Sequence, residues 1–366
     1  LLLYGLSFIY GAVGSTNLWA VQSVLGAGPA ATLADGSLPL ALVLVVGGLS
    51  FKMAAVPFHF YAPDVYQGTT SPLAGLLAWA PKAAGVIAVL RIVSVAANYE
   101  GSPSPWLMAL VAAATMFTGN ILALLQDNLK RLFAYSSVAQ AGYMLIGVGV
   151  VCVERTGVRS EEFRITSGYL TNDGSESVLF YLLAYAVMTL GVFAVLTCLS
   201  GRGRSAESVH DLAGLGKRHP GVALAMVVFL FSLTGIPLTA GFWGKLALFS
   251  SALASGDRLY TYLAVIGVIN AVISSYYYLR IIGIMYMHEP SVGEPLQIQQ
   301  GGAALSVVTA CAALTLMIGV LPSPFLASIG DGQSQVSQAV LAIVGGAVAF
   351  GALVLLLTLG RERRLT

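Results

Sequence analysis

Three of the five lysines, Lys52, Lys82 and Lys245, lie inside long apolar runs and not in loops. An ionised side chain at the centre of a bilayer costs about 2.5–3.5 kcal/mol on insertion scales. A sequence that accepts this cost three times uses the amines. A lysine near the end of a membrane span can snorkel to the headgroups, but Lys82 sits near the middle of its run. Burial and a like-charged neighbour both favour the neutral form of an amine. A lysine so placed can take up and release protons near neutral pH, which arginine does not do. The chemistry these residues point to is proton exchange.

Two of the lysines flank proline breaks. In Phe51-Lys52-Met53-Ala54-Ala55-Val56-Pro57-Phe58-His59, Pro57 removes a backbone donor and stops the helix. A broken helix at membrane depth frees carbonyls that must face protein or water, and transporters build ion sites from such groups. The pattern recurs at Ser232-Leu233-Thr234-Gly235-Ile236-Pro237, followed by Gly241-Phe242-Trp243-Gly244-Lys245. Here the lysine follows the proline, whereas at the first break it precedes it. Lys82 follows Pro81, thirty residues beyond Lys52 and on the next span. A third polar patch, Tyr135-Ser136-Ser137-Val138-Ala139-Gln140-Ala141-Gly142-Tyr143, lies within the fifth span. Ser137 and Gln140 are candidates to hold a water chain, and interhelical bonding for packing is the equal alternative. His59, beside the first break, is either a proton relay or a satisfied structural histidine.

The elements that must position these residues are membrane helices. The chain has 366 residues, 57% hydrophobic and 9% charged, with mean hydropathy +0.84. A soluble domain carries about 25% charged residues. Ten spans are predicted, near 1–13, 38–66 (broken), 72–97, 105–126, 132–152, 178–199, 220–252 (broken), 259–287, 302–321 and 339–360. Only helices or closed barrels satisfy their backbone in lipid, and the alternating pattern of a membrane barrel is not seen. Alternate loops differ in charge. One side holds Lys130, Arg131, Arg202, Arg204, Lys217, Arg218, Arg361, Arg363 and Arg364; the other holds Arg155, Arg159, Arg164 and Arg258 among many acids. The positive-inside rule makes the first side cytoplasmic, with the C-terminus on it.

The net charge of +2 and the lack of a clustered basic groove give no reason to expect nucleic acid. Cys152, Cys198 and Cys311 are scattered singly and read as packing residues, not as a disulfide or metal framework. No dinucleotide fingerprint, Walker loop, nucleophile elbow or recognisable redox centre is found.

Several strings carry a resemblance to a known family: Leu3-Tyr4-Gly5 through Thr16, the break around Lys52 to His59, Pro63-Asp64-Val65-Tyr66-Gln67-Gly68, Asp127-Asn128-Leu129-Lys130-Arg131 through Ser137, and Gly235-Ile236-Pro237 through Lys245. Together, in this order, they resemble subunit N of bacterial NADH:quinone oxidoreductase (respiratory complex I). The resemblance covers nearly the whole chain. It implies an all-α integral membrane protein, an antiporter-like helix bundle with inverted repeats and two discontinuous helices. Residues 1–100 would be the remainder of the first repeat, 101–290 the second repeat and 291–366 the C-terminal helices. Lys52, Lys82 and Lys245 match the family's lysines on a hydrated axis across the membrane plane. FMN, iron–sulfur clusters and quinone belong to partner subunits, and the expected neighbours are M-type and K-type membrane subunits in the bacterial inner membrane. The family's glutamate partner to Lys52 falls before Leu1, so about five upstream helices are expected. Without them Lys52 lacks its counter-ion and the chain could not pump alone. Gln140 stands where the family often has histidine; an amide orders water but does not titrate. A span at 339–360 goes beyond the family core. The rival readings are the D-type subunit of a multisubunit cation/proton antiporter and a non-pumping scaffold subunit.

Overall fold

The computed structural model describes residues 1–27, 37–96, 102–155, 173–199, 206–289, 302–323 and 325–326. Among them there is no β-strand, only an isolated bridge between Asn128 and Ser208. The helices in order are α1 Leu2–Val13, α2 Leu18–Ala27, α3 Ser37–Met53, α4 Tyr61–Gly68, α5 Ser71–Ala96, α6 Ser104–Leu124, α7 Leu129–Arg155, α8 Gly174–Cys198, α9 Leu215–Arg218, α10 Pro220–Thr234, α11 Ala240–Ala254, α12 Arg258–Met287 and α13 Gly302–Val320. Five of these, α5, α6, α7, α8 and α12, are long and apolar enough to cross a membrane. The pairs α3–α4 and α10–α11 are the halves of the two broken spans. The expected span at 339–360, the arginines at 159, 164, 202, 204, 361, 363 and 364, and most of the polar 153–177 connection lie outside the described residues.

Two helices, α2 and the four-residue α9, form outside the predicted spans. Residues 14–37 read as a connection, yet α2 forms inside them. Asn17 Oδ1 accepts from the Trp19 amide at 3.0 Å, a local cap at its start. Val21 and Leu25, one helical turn apart, are both buried. Ten residues are too few for a span, which is why apolar run length did not reveal this helix.

The bundle is organised around α7, whose apolar stretch is wholly buried, and α8, which is mostly buried. α12 leaves Tyr262, Val265, Val272 and Tyr276 exposed on its outer side. The most enclosed helix, α7, also carries the polar patch. That follows from the cost of facing hydroxyls and amides to hydrocarbon.

The strings Pro63–Gly68 and Asp127–Ser137 meet in the fold. Arg131 Nη1, at the start of α7, donates to Asp64 Oδ1 at 2.6 Å and to Gln67 Oε1 at 3.0 Å. Lys130 Nζ donates to the Thr69 carbonyl just past α4 at 2.6 Å. This clamp fixes the second half of the first broken span onto the central helix. Arg280 of α12 likewise pairs with Asp127 at 2.6 Å.

Candidate functional site

Both proline breaks are present, and several of the backbone groups beside them find partners. After α3, Ala54 takes a left-handed conformation (φ 57°) and the Val56–Pro57 peptide is cis. The freed Phe51 carbonyl accepts from Tyr61 Oη at 2.9 Å, and the Val56 amide donates to Thr115 Oγ1 of α6 at 3.1 Å. After α10, Gly235 adopts φ 94°, a conformation open to glycine, and its amide donates to the Phe231 and Ser232 carbonyls. That leaves the Leu233 and Thr234 carbonyls without intrahelical partners. Lys245, on the second turn of α11, fills the gap: its Nζ donates to both, at 2.9 Å each.

Lys82 is held in a similar way from α5. Its Nζ donates to the carbonyl and the hydroxyl of Ser137 on α7. The amines of Lys82 and Lys245 also stand over aromatic rings, Tyr185 at 5.5 Å and Tyr143 at 4.8 Å from the ring centroids. Both side chains are buried, and among the described residues no carboxylate lies within ion-pair distance of either. Carbonyls, a hydroxyl and π faces therefore stand in for a counter-ion. An ammonium has three donors, whereas a neutral amine keeps two N–H groups and so still serves two acceptors. Each lysine can thus change protonation without orphaning its partners.

One turn of α7 joins the two amines. Ser137 Oγ accepts from Tyr185 Oη at 2.8 Å and lies 3.3 Å from Tyr66 Oη. Ser136 is hydrogen-bonded to Tyr278 of α12. Gln140 Nε2 donates to Tyr278 Oη at 3.4 Å and to the Leu233 carbonyl at 3.5 Å, while its Oε1 accepts from Tyr181. Lys82 bonds to Ser137; its backbone neighbour Ser136 bonds to Tyr278, which Gln140 also contacts, and Gln140 reaches the carbonyl that Lys245 binds. Of the six residues singled out from sequence, Lys82, Ser137, Gln140 and Lys245 are brought together here.

The other two are not. Lys52, in the last turn of α3, is exposed, unlike Lys82 and Lys245. His59 is buried beside the break against the Phe60 ring, with neither ring nitrogen hydrogen-bonded. Tyr181, Tyr185 and Tyr278 were missed. Tyr181 and Tyr185 are four residues apart on α8 and meet Gln140 and Ser137, three apart on α7. Tyrosine gathers at membrane interfaces, so tyrosines this far inside a span were an available signal.

Ser137→Ala removes the hydroxyl shared by Lys82, Tyr185 and Tyr66 but keeps the backbone carbonyl. The groups it served each lose a buried partner, at about 1–3 kcal/mol per orphaned group, so the thermal midpoint is expected to fall; an unchanged midpoint would show that other groups replace its bonds.

Comparison with known proteins agrees with this architecture. The family described as NADH:quinone oxidoreductase/Mrp antiporter, TM matches residues 1–159 and 164–274. NADH-quinone oxidoreductase subunit N 1 of Sorangium cellulosum is 41% identical over 336 residues, covering 89% of this chain and 62% of that protein. A chain of respiratory complex I from Thermus thermophilus with bound aureothin is 32% identical and superposes with TM-score 0.71, covering 90% of this chain and 66% of the other. A chain of the Mrp complex from Dietzia sp. DQ12-45-1b, 22% identical with TM-score 0.72, shares the fold. The chain spans a little over three fifths of the length of the curated relatives it matches, 62% in the case of the Sorangium protein. With an all-helical bundle, two broken spans and buried lysines at both ends of one polar turn, it belongs to the NADH:quinone oxidoreductase/Mrp antiporter membrane family.

Proposed function

We propose that this chain is a proton-translocating membrane component of an NADH:quinone oxidoreductase of the subunit N type. The observation that carries the reading is the pair of buried amines, Lys82 and Lys245, bonded at the two ends of one polar turn of α7 that holds Ser136, Ser137 and Gln140. Electron transfer from NADH to quinone belongs to other subunits, which would hold the FMN and iron–sulfur clusters. Changes of charge or conformation there would alter proton occupancy at Lys52, Lys82 and Lys245 in turn. Protons would enter from the cytoplasm, travel along the lysine axis and leave on the opposite side. His59 would contribute at the first break as a water-ordering group. On this reading residues 1–100 and 101–290 belong to successive antiporter-like repeats, with 291–366 as C-terminal helices. M-type and K-type subunits would be the neighbours in a bacterial inner membrane, with the C-terminus cytoplasmic.

Lys52→Met in the intact complex tests the whole axis. Proton-coupled quinone reduction in vesicles is expected to slow severalfold, and an unchanged rate with an unchanged proton-to-electron ratio would count against it. The family also includes Mrp antiporters, so a cation/proton antiporter component is the second reading. Sodium-dependent proton transport that needs no NADH would favour it.

A further inference from the structure

The outer face of α12 ends beside two cations that have no counter-ion. Val272, Tyr276, Leu279 and Tyr286 are exposed. With Gly283 they fall on one face of the helix, at successive spacings of four, three, four and three residues. Gly283 interrupts the apolar stripe. A Cβ there would meet nothing within 4 Å, so the surface is notched between Leu279 and Tyr286. α12 has 30 residues, about 45 Å of helix, against a hydrocarbon core of about 30 Å. Its ends, marked by Arg258 and by His288 just past Met287, therefore reach the headgroup layers, where tyrosine is enriched.

Tyr286 joins this stripe to α9. Its ring lies against Gly216, where an added Cβ would come 2.6 Å from Cδ1. The next two residues, Lys217 and Arg218, are exposed, and among the described residues no acid pairs with either. Neighbouring acids are committed: Asp127 pairs with Arg280 at 2.6 Å, and Asp211 accepts from the Glu207 and Ser208 amides at 3.0 and 2.8 Å. Glu289 lies past the end of α12. Two free cations thus stand at headgroup depth, beside an aromatic ring from which an apolar, notched stripe runs inward. A neutral headgroup would leave the cations without a partner, and a soluble anion would leave the stripe unused. An amphiphile with an anionic head meets both, and basic sites at the ends of membrane helices hold such headgroups.

We propose that this end of α12 is a docking site for one anionic phospholipid. Its phosphate sits between Lys217 and Arg218 beside Tyr286, and one acyl chain lies in the Gly283 notch along Leu279 and Tyr276. No proton transfer is involved, so the site stands or falls apart from the buried lysine pair.

Photolabelling of the full complex in phosphatidylcholine vesicles tests it. The probe is a trace of phosphatidylglycerol with a diazirine in its acyl chain, and the labelled peptides are mapped. Each lysine or arginine beside an anionic headgroup strengthens binding about fivefold. Peptides from the second half of α12 should therefore be labelled about twentyfold more than by a phosphatidylcholine probe with the same chains. Lys217→Gln combined with Arg218→Gln should reduce labelling to the phosphatidylcholine level. Gly283→Leu keeps both cations, fills the notch and should lower labelling severalfold. All three positions border open space, so both variants should assemble as wild type does. Equal labelling of the wild-type complex by the two probes overturns the inference, as does a preference that survives the double substitution. Absence of labelling by either probe would mean that a neighbouring subunit covers this face, with the same consequence. Full competition by free glycerol phosphate would make the cations a simple anion site and also overturns the lipid.

Discussion

Replacing Lys82 by methionine is expected to stop most proton-coupled turnover of the complex while leaving the subunit assembled. Methionine fills nearly the same volume and adapts its shape to irregular space. The Ser137 carbonyl and hydroxyl lose a donor, which costs about 1–3 kcal/mol per orphaned buried group. The hydroxyl keeps Tyr185 as a partner, and the expense of burying an amine without a carboxylate disappears. The two effects oppose each other, so the net change in stability is small. The functional change is not small. A positioned group that gives and takes protons contributes on the order of a hundredfold or more, and no other titratable side chain touches Ser137 among the described residues except Tyr66 and Tyr185. Lys82→Arg sharpens the test. Arginine keeps the positive charge but does not release its proton, so it too is expected to be inactive. Acidification of vesicles driven by NADH and quinone, normalised to assembled subunit, gives the answer. A Lys82→Ala complex with full pumping would mean that the chain is a scaffold.

Gly241→Ala is expected to dismantle the second break. A Cβ at Gly241 would lie 1.8 Å from the backbone carbonyl oxygen of Ser232, and the Gly241 amide already donates to Ser232 Oγ at 3.0 Å. Backbone cannot swing aside as a flexible side chain can. The first turn of α11 would have to lift from the end of α10, carrying Lys245 away from Leu233 and Thr234. Overpacking in a well-filled interior costs about 1–3 kcal/mol or more, and here both helix ends move with it. The subunit should fail to accumulate in the complex, and what does assemble should not translocate protons. Gly221→Ala is the matching control: a Cβ there meets nothing within 4 Å, and a change in open space is worth about 0.5 kcal/mol or less. Native-gel assembly and the thermal midpoint of the complex separate the two. Normal assembly of Gly241→Ala would show that the α10–α11 junction yields more than its close backbone approach implies.

The helices were legible because lipid imposes a strict rule. Every backbone group must bond within its own segment, so long apolar runs could only be helices, and each of the nine expected spans that fall among the described residues is occupied by helix, five of them by helices long enough to cross a membrane. The breaks were legible for the same reason: Pro57 and Pro237 remove donors, and the sequence around them has nothing to keep a helix running. The short helix α2 escaped because its stability comes from burying Val21 and Leu25, a tertiary effect that run length does not register.

The candidate site was half legible. Lysine in hydrocarbon is costly enough to announce itself, and sequence alone singled out Lys52, Lys82 and Lys245 and pointed to a chain that lies in a membrane. It also marked Ser137 and Gln140 as polar groups out of place. Sequence could not choose between packing and conduction for that patch, because a hydroxyl does either according to what faces it. Tertiary structure decided that Lys82 and Lys245 share one turn of α7, that tyrosines from α4, α8 and α12 complete the link, and that the exposed Lys52 stands apart. The reason is physical. The cost of burying a charge is a property of one residue, whereas a hydrogen-bonded path is a property of pairs, and pairs from helices 142 and 138 residues apart in the chain, as for Ser136 and Gln140 with Tyr278, exist only once the bundle has closed.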